Sequence, residues 1–204
     1  MKKDHRPETI DLRPVAALFV RADSVYKTMR GVDAWDADRD ALKWPGACVA
    51  VAHPPCRLWS SLAPFSSATK TEKELGIRAI LWIRGNGGVV EHPASSKLFA
   101  ECHCPKPGDH ADRFGGICLL VNQFHWGHRA NKPTILYIVG AKRIPAMPVR
   151  IGEPSHCIMQ ACGIRKGHPK FKSHVLHAER EATPPAFARW LIRLARGCYM
   201  PERK

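Results

Sequence analysis

The stretch VAVAHPPCRLWS, residues 49–60, decides how the chain is read. Four small or β-branched apolar residues stop at His53, and two prolines then precede Cys56. A short, continuous apolar run of this kind is the pattern of a strand buried on both faces. Proline fixes φ and removes a ladder donor, so the strand ends there and the thiol stands on a stiff loop. The stretch has two readings: a structural thiol in a rigid turn, or a nucleophile presented at a sheet edge.

Working outward, VAALFV (15–20) and VDAW (from residue 32) are further strand candidates, with SVYKTM (24–29) as a short helix between them. TEKELGIRAILWIR (71–84) carries apolar residues at 75, 77, 80, 81 and 83, the spacing of an amphipathic helix, with Thr71 and Glu74 as a capping box. GGVVEHP (87–93) is the next buried strand, carrying Glu91 near its end. Residues 94–116 are a loop-rich insertion; ICLLVNQF (117–124) and PTILYIVG (133–140) are two more strands. TPPAFARWLIRLARG (183–197) closes the chain as a helix, with Thr183 as N-cap, prolines in its first turn and Gly197 as terminator. Strands alternating with helices predict an α/β layered fold, whose chemistry sits beyond the carboxyl ends of the strands. Both HPPC and EHP lie at such ends.

The chain of 204 residues carries 32 Lys and Arg against 18 Asp and Glu, a net charge of +14. An excess of this size favours a polyanionic partner, with nucleic acid the first expectation. No apolar run approaches the roughly 20 residues that span a bilayer, and the basic N-terminus has no apolar segment after it, unlike a secretory signal. These readings predict a cytoplasmic protein with no membrane partner. The eight cysteines are then expected as thiols and not as a disulfide framework.

A cysteine and a glutamate at neighbouring strand ends can activate a pyrimidine ring. Carbon 5 is inert until a thiolate adds to carbon 6 while an acid engages ring nitrogen 3. Arg57, beside the thiol, would help populate the thiolate. With VAHPPCRLWS, VVEHP and WGHRANKPTILYIVG following one another in this order, the chain resembles the DNA cytosine carbon-5 methyltransferases. It is more closely similar to the short, divergent methyltransferase-like proteins of bacteriophages, which would place it in the cytoplasm of a host cell.

The resemblance implies a Rossmann-like methyltransferase fold, with a central, mostly parallel sheet flanked by helices, in one domain spanning 1–204. It implies Cys56 as nucleophile, Glu91 as the residue engaging the flipped base, and Arg129 as the active-site arginine. It implies S-adenosylmethionine as cofactor, with Phe19, Asp23, Asp36 and Pro54 around it and Asp33 as another ribose-binding candidate. The first strand is followed by LFVRADSVYK, with no glycine before Gly31, where the family carries a glycine-rich turn. A different group added at carbon 5, or a free nucleotide as substrate, fits the same residues. Region 141–182 would be the target reader, small enough for a protein partner to supply specificity.

Arg57, Trp59, His128, Lys132, Arg165, Lys166, Lys170 and Lys172 are the expected nucleic-acid contacts, and Trp59, Phe65 and Trp126 are candidates to stack on an extruded base. Cys102, Cys104, His110 and Cys118 are candidate zinc ligands, but Cys-x-Cys is not the usual Cys-x-x-Cys knuckle and no matching pair follows. His156, Cys157, Cys162 and His168 form a second, looser set. The leading expectation is a DNA base-modifying enzyme working through a Cys56 adduct. A non-catalytic DNA-binding protein of the same fold and a zinc-stabilised nucleic-acid adaptor are the alternatives.

Overall fold

The apolar runs become the strands of one sheet. A computed structural model describes residues 13–60, 63, 67, 69–159 and 164–199. Strands β1 (Val15–Leu18), β2 (Val32–Trp35), β3 (Val49–Ala52), β4 (Gly88–Pro93), β5 (Gly116–Asn122) and β6 (Pro133–Val139) stand in the order β2-β1-β3-β4-β6-β5. The β1–β2, β1–β3 and β3–β4 ladders are parallel, whereas β6 is antiparallel to both of its neighbours. Only β6 therefore runs against the rest, and the sheet is a mostly parallel, mixed one. A smaller parallel pair, β7 (His156–Cys157) and β8 (Ser173–His174), lies within the irregular stretch expected from residue 141 onward.

Both faces of this sheet are covered, which is why β1 and β3 read as unbroken apolar runs and are buried at every residue. Helix α1 (Lys70–Asn86) lays Ala79, Ile80 and Ile83 against one face, where they meet Ala16, Leu18, Ala50, Ala52, Val90 and Tyr137, while Gly76 lies against Trp59 and Leu98. Those helix positions fall on a single stripe at 3.6-residue spacing. The short helix α2 (Leu98–Glu101) packs Leu98 and Phe99 into the same layer, so the expected loop insertion is partly helical. Two further helices follow in the chain, α3 (His177–Glu181) and α4 (Pro185–Arg196). On the opposite face α4 buries Phe187, Leu191, Leu194 and Ala195 against Val15, Val51, Val89, Leu136 and Ile138.

The helix boundaries differ from the sequence expectations in their caps. Helix α1 starts at Lys70 after Thr69, which makes no side-chain cap, so Thr71 lies inside the first turn and no capping box forms. Helix α4 starts at Pro185 with Pro184 in the cap position, which leaves Thr183 outside. Proline at N1 supplies the helical φ and lacks only an N–H that would be unpaired there anyway.

Gly88 sets the approach of β3 to β4. Its φ is 121°, and a Cβ built there would lie 2.0 Å from the Ala50 carbonyl oxygen and 2.7 Å from the Ala50 nitrogen. Backbone cannot step aside as a side chain can. Gly88→Ala is expected to destabilise the fold by about 3 kcal/mol or more, read as a lowered urea midpoint. An unchanged midpoint would contradict this packing.

Candidate active site

The carboxyl ends of β1, β3, β4 and β5 and the start of β6 meet at one edge of the sheet. Side chains alternate along a strand, so Val89 and Glu91 share the face covered by α4, while Val90 and His92 share the face covered by α1. The loop after β3 follows the same parity and turns His53 toward Glu91. His53 Nδ1 lies 2.9 Å from Glu91 Oε2, and its Nε2 lies 2.9 Å from the Tyr26 hydroxyl. From the other side, Gln123 Nε2 donates to Glu91 Oε1 at 2.9 Å and to Thr134 Oγ1 at 3.0 Å. Gln123 is wholly buried, and its own Oε1 has no hydrogen-bond partner.

This network holds Glu91 as a carboxylate. Burial alone pushes its pKa upward, but the His53 hydrogen bond, the positive character of that ring and the Lys132 ammonium bring it down to about 2. Tyr26 moves the opposite way: burial, and then the Glu91 charge, raise its pKa well above the ordinary phenol value. Tyr26 therefore keeps its proton, and its hydroxyl is hydrogen-bonded to His53 Nε2. His92, on the other face, is buried near the Pro54 and Pro55 backbone, and its pKa falls to about 4, chiefly through desolvation.

Cys56 lies on the loop that follows β3, just before a short 3-10 turn at Arg57–Trp59. Cys56 is exposed at the surface; partial desolvation of its sulfur by the protein around it raises the thiol pKa, and the Glu91 charge raises it further, with Lys132 acting in the opposite sense. Lys132 in turn is lowered by burial and raised by Glu91, Cys56 and Glu181. Cys56, Glu91 and Lys132 thus share one electrostatic neighbourhood. The sequence places these three far apart, and the sheet brings them together.

The remaining expected residues take other places. Arg57 donates twice to Glu72 of α1, at 2.6 and 2.8 Å, so it anchors the loop instead of lowering the thiol pKa. Trp59 and Trp126 are core residues, 1% and 6% exposed, and Trp126 packs on Phe187 and Trp190. Phe65 lies outside the described residues. His128 is buried, with Nδ1 at 2.8 Å from the Ala130 carbonyl, and so organises a turn and does not face solvent. Arg129 does not reach Glu91; its guanidinium is bound by Glu179 and contacts His156 Nε2 at 3.1 Å. Arg165, Lys166 and Lys170 are exposed, and Lys172 donates to Glu153.

Sequence reading missed His53, Tyr26, Gln123 and Thr134. A signal was present in two of them: His53 and Gln123 are polar residues at the ends of apolar runs. Tyr26 and Thr134 carry no such mark.

The residues proposed for S-adenosylmethionine do not fit that group as they stand. Phe19 makes the turn after β1 with a φ of 58° and stacks its ring on Trp82, which leaves side chains where bare backbone would approach a ligand. Asp23 is held by Arg21 at 2.9 and 3.1 Å. Asp33 is held by Arg39 at 2.6 Å and by the Trp35 indole at 2.7 Å. Asp36 is buried against Lys27 and the Arg39 amide. Pro54 is buried in the loop before Cys56. None of the three carboxylates presents itself unpaired to a ribose.

Among the described residues, no group of three or more His, Cys, Asp or Glu side chains is placed to hold a metal ion. Arg84 occupies the middle of the Cys102–Cys118 region, donating to the Cys102 carbonyl at 2.8 Å and lying 3.4 Å from Asp112. Burial pushes the Cys104 and Cys118 thiols up to about 12. Cys162 of the second cysteine and histidine set lies outside the described residues. No described helix is long and apolar enough to cross a membrane.

No protein-family model matches the chain, and a search of curated proteins finds no match. The fold itself is α/β, with a mostly parallel mixed sheet between helices.

Because the Cys56 thiol pKa is raised, its thiolate fraction should grow about tenfold per pH unit below that pKa. Alkylation of Cys56 by iodoacetamide, followed by peptide mass spectrometry, is expected to accelerate steadily from pH 7 to 9. Lys132→Met should slow it and Glu91→Gln should speed it by about threefold or more. A rate that plateaus below pH 8 and ignores both substitutions would contradict the assigned electrostatics.

Proposed function

We propose that this chain is a DNA base-modifying enzyme that activates carbon 5 of a pyrimidine through a transient adduct with Cys56. The observation that carries the reading is that the neighbouring strands β3, β4 and β6 bring Cys56, the hydrogen-bonded Glu91 and Lys132 to one edge of the sheet. The strand order is compatible with the Rossmann-like methyltransferase fold, and the net charge of +14 suits a polyanionic substrate.

The chemistry follows from the groups present. The Cys56 sulfur adds to carbon 6, forming an S–C bond while the carbon 5–carbon 6 π electrons shift toward carbon 5 and the ring. The thiol gives up its proton to solvent and ring nitrogen 3 takes one up as the S–C bond forms, so no net charge is created. Lys132 stabilises the thiolate as it forms, and an ionised Glu91 accepts a hydrogen bond from an exocyclic amino group or a ring N–H. Carbon 5 then behaves as an enamine carbon and takes an electrophile. Loss of the carbon 5 proton to solvent, departure of the sulfur as thiolate and release of the nitrogen 3 proton restore the neutral aromatic ring, and the thiolate takes up a proton again. His53 and Gln123 hold Glu91 in place throughout and are positioning residues. The electrophile's donor is not assigned, because the residues after β1 do not fit S-adenosylmethionine.

A second reading rests on the same raised thiol pKa and the paired carboxylates: a DNA-binding protein of this fold without catalysis. It predicts DNA retention with a steep salt dependence that Cys56→Ala leaves untouched.

The adduct can be tested without any group donor. With water as the only electrophile, a proton enters carbon 5 and the original hydrogen leaves, so DNA labelled with tritium at cytosine carbon 5 should release label to solvent. Wild type is expected to release it, Cys56→Ser to abolish release, and Glu91→Gln to slow it about a hundredfold or more. Equal release by wild type and Cys56→Ser would count against the enzyme and favour the second reading.

A further inference from the structure

Three cationic side chains around the site are held by one short piece of the same chain. Helix α3 has only five residues, none of them buried, and Leu176 before it is 72% exposed with no side-chain cap. A helix this short has no stability of its own. Its attachments are ionic. Glu179 accepts a forked set of bonds from Arg129, two of them at 2.9 and 3.2 Å, and its pKa is lowered chiefly by that contact, with His128 and His156 adding to it. Glu181 accepts from Arg21 at 2.9 Å. Lys132 donates to the Ala182 carbonyl at 3.1 Å, at the end of the same segment. Val175, buried ahead of α3, and the start of α4 behind it fix the two ends of the strap.

We infer that Arg21, Arg129 and Lys132, at the carboxyl edge of the sheet that also carries Cys56, form a phosphate-binding surface, and that Glu179 and Glu181 occupy it as internal stand-ins for phosphate. Forked acceptance from an arginine is what a phosphate oxygen pair does as readily as a carboxylate. In a chain with 32 Lys and Arg against 18 Asp and Glu, two acids on one exposed turn take up two arginines at the same edge of the sheet as the proposed nucleophile. Exposed ion pairs contribute little individually, so a ligand bearing phosphates displaces the strap at small cost. The inference rests on the nucleotide reading above but not on its chemistry. The phosphates belong either to the DNA backbone or to a free nucleotide.

Both sources can be separated by equilibrium binding in a Cys56→Ser background, where no adduct forms. The probes are a labelled single-stranded 12-nucleotide deoxyoligonucleotide and deoxycytidine monophosphate. Glu179→Gln with Glu181→Gln is expected to tighten binding about tenfold at low salt, whereas Arg21→Gln with Arg129→Gln weakens it. Tightening confined to the oligonucleotide assigns the site to backbone phosphodiesters; equal tightening for both probes assigns it to a nucleotide phosphate. Glu101→Gln with Asp38→Asn makes the same charge change elsewhere and serves as control. Equal tightening by this control overturns the site, since net charge then suffices. Wild-type-like or weaker binding by the Glu179 and Glu181 variant also overturns it while leaving the base-modifying reading standing. Failure of every form to bind either probe removes both. Hydrogen exchange gives an independent view: amides 177–182 should exchange faster when the oligonucleotide binds, and unchanged protection in the bound state contradicts displacement.

Discussion

A buried negative charge at the end of β4 organises this edge of the molecule. Removing a carboxylate from water costs several kcal/mol unless opposite charge and hydrogen bonds replace the lost hydration. Glu91 receives that replacement from three directions: His53 after β3, Gln123 after β5, and the ammonium of Lys132 before β6. Each partner comes from a different strand end, so the carboxylate ties the loops of the sheet edge together. Tyr26 extends the same chain of hydrogen bonds to the turn between β1 and β2.

That constraint also sets the state of the neighbouring sulfur. A fixed anion raises a thiol pKa, and Lys132 offsets the effect only in part. Cys56 therefore rests as a thiol in the field of a fixed carboxylate. This arrangement suits a nucleophile that forms when a substrate arrives better than one held permanently as thiolate. Glu179 and Glu181 place acidic groups of the chain over Arg129 and Arg21 at the same edge of the sheet.

Much of the scaffold was legible in the residues. The apolar runs at 15–18, 49–52 and 88–90 could only be buried strands, and the spacing through Ile80 and Ile83 marked α1. Cys56 and Glu91 were visible because each interrupts the end of such a run. His53 and Gln123 stand out at the ends of apolar runs, but their pairing with Glu91, across 38 and 32 residues, depends on strand order, which local pattern does not encode. Arg57 and Arg129 look like site residues in the sequence but are captured by Glu72 and Glu179. Long side chains choose partners in three dimensions, and sequence neighbours do not constrain that choice. Helix α3 has no buried face, so it left no periodic trace to read.

The central claim is that Cys56 and Glu91 act together on a pyrimidine base in DNA. Nucleoside mass spectrometry of DNA from cells expressing the wild-type chain tests it most directly, with Cys56→Ser as the paired control. The account predicts a pyrimidine nucleoside of increased mass that is present with wild type and missing with Cys56→Ser. Identical nucleoside profiles from the two, in DNA rich in every pyrimidine context, would contradict it.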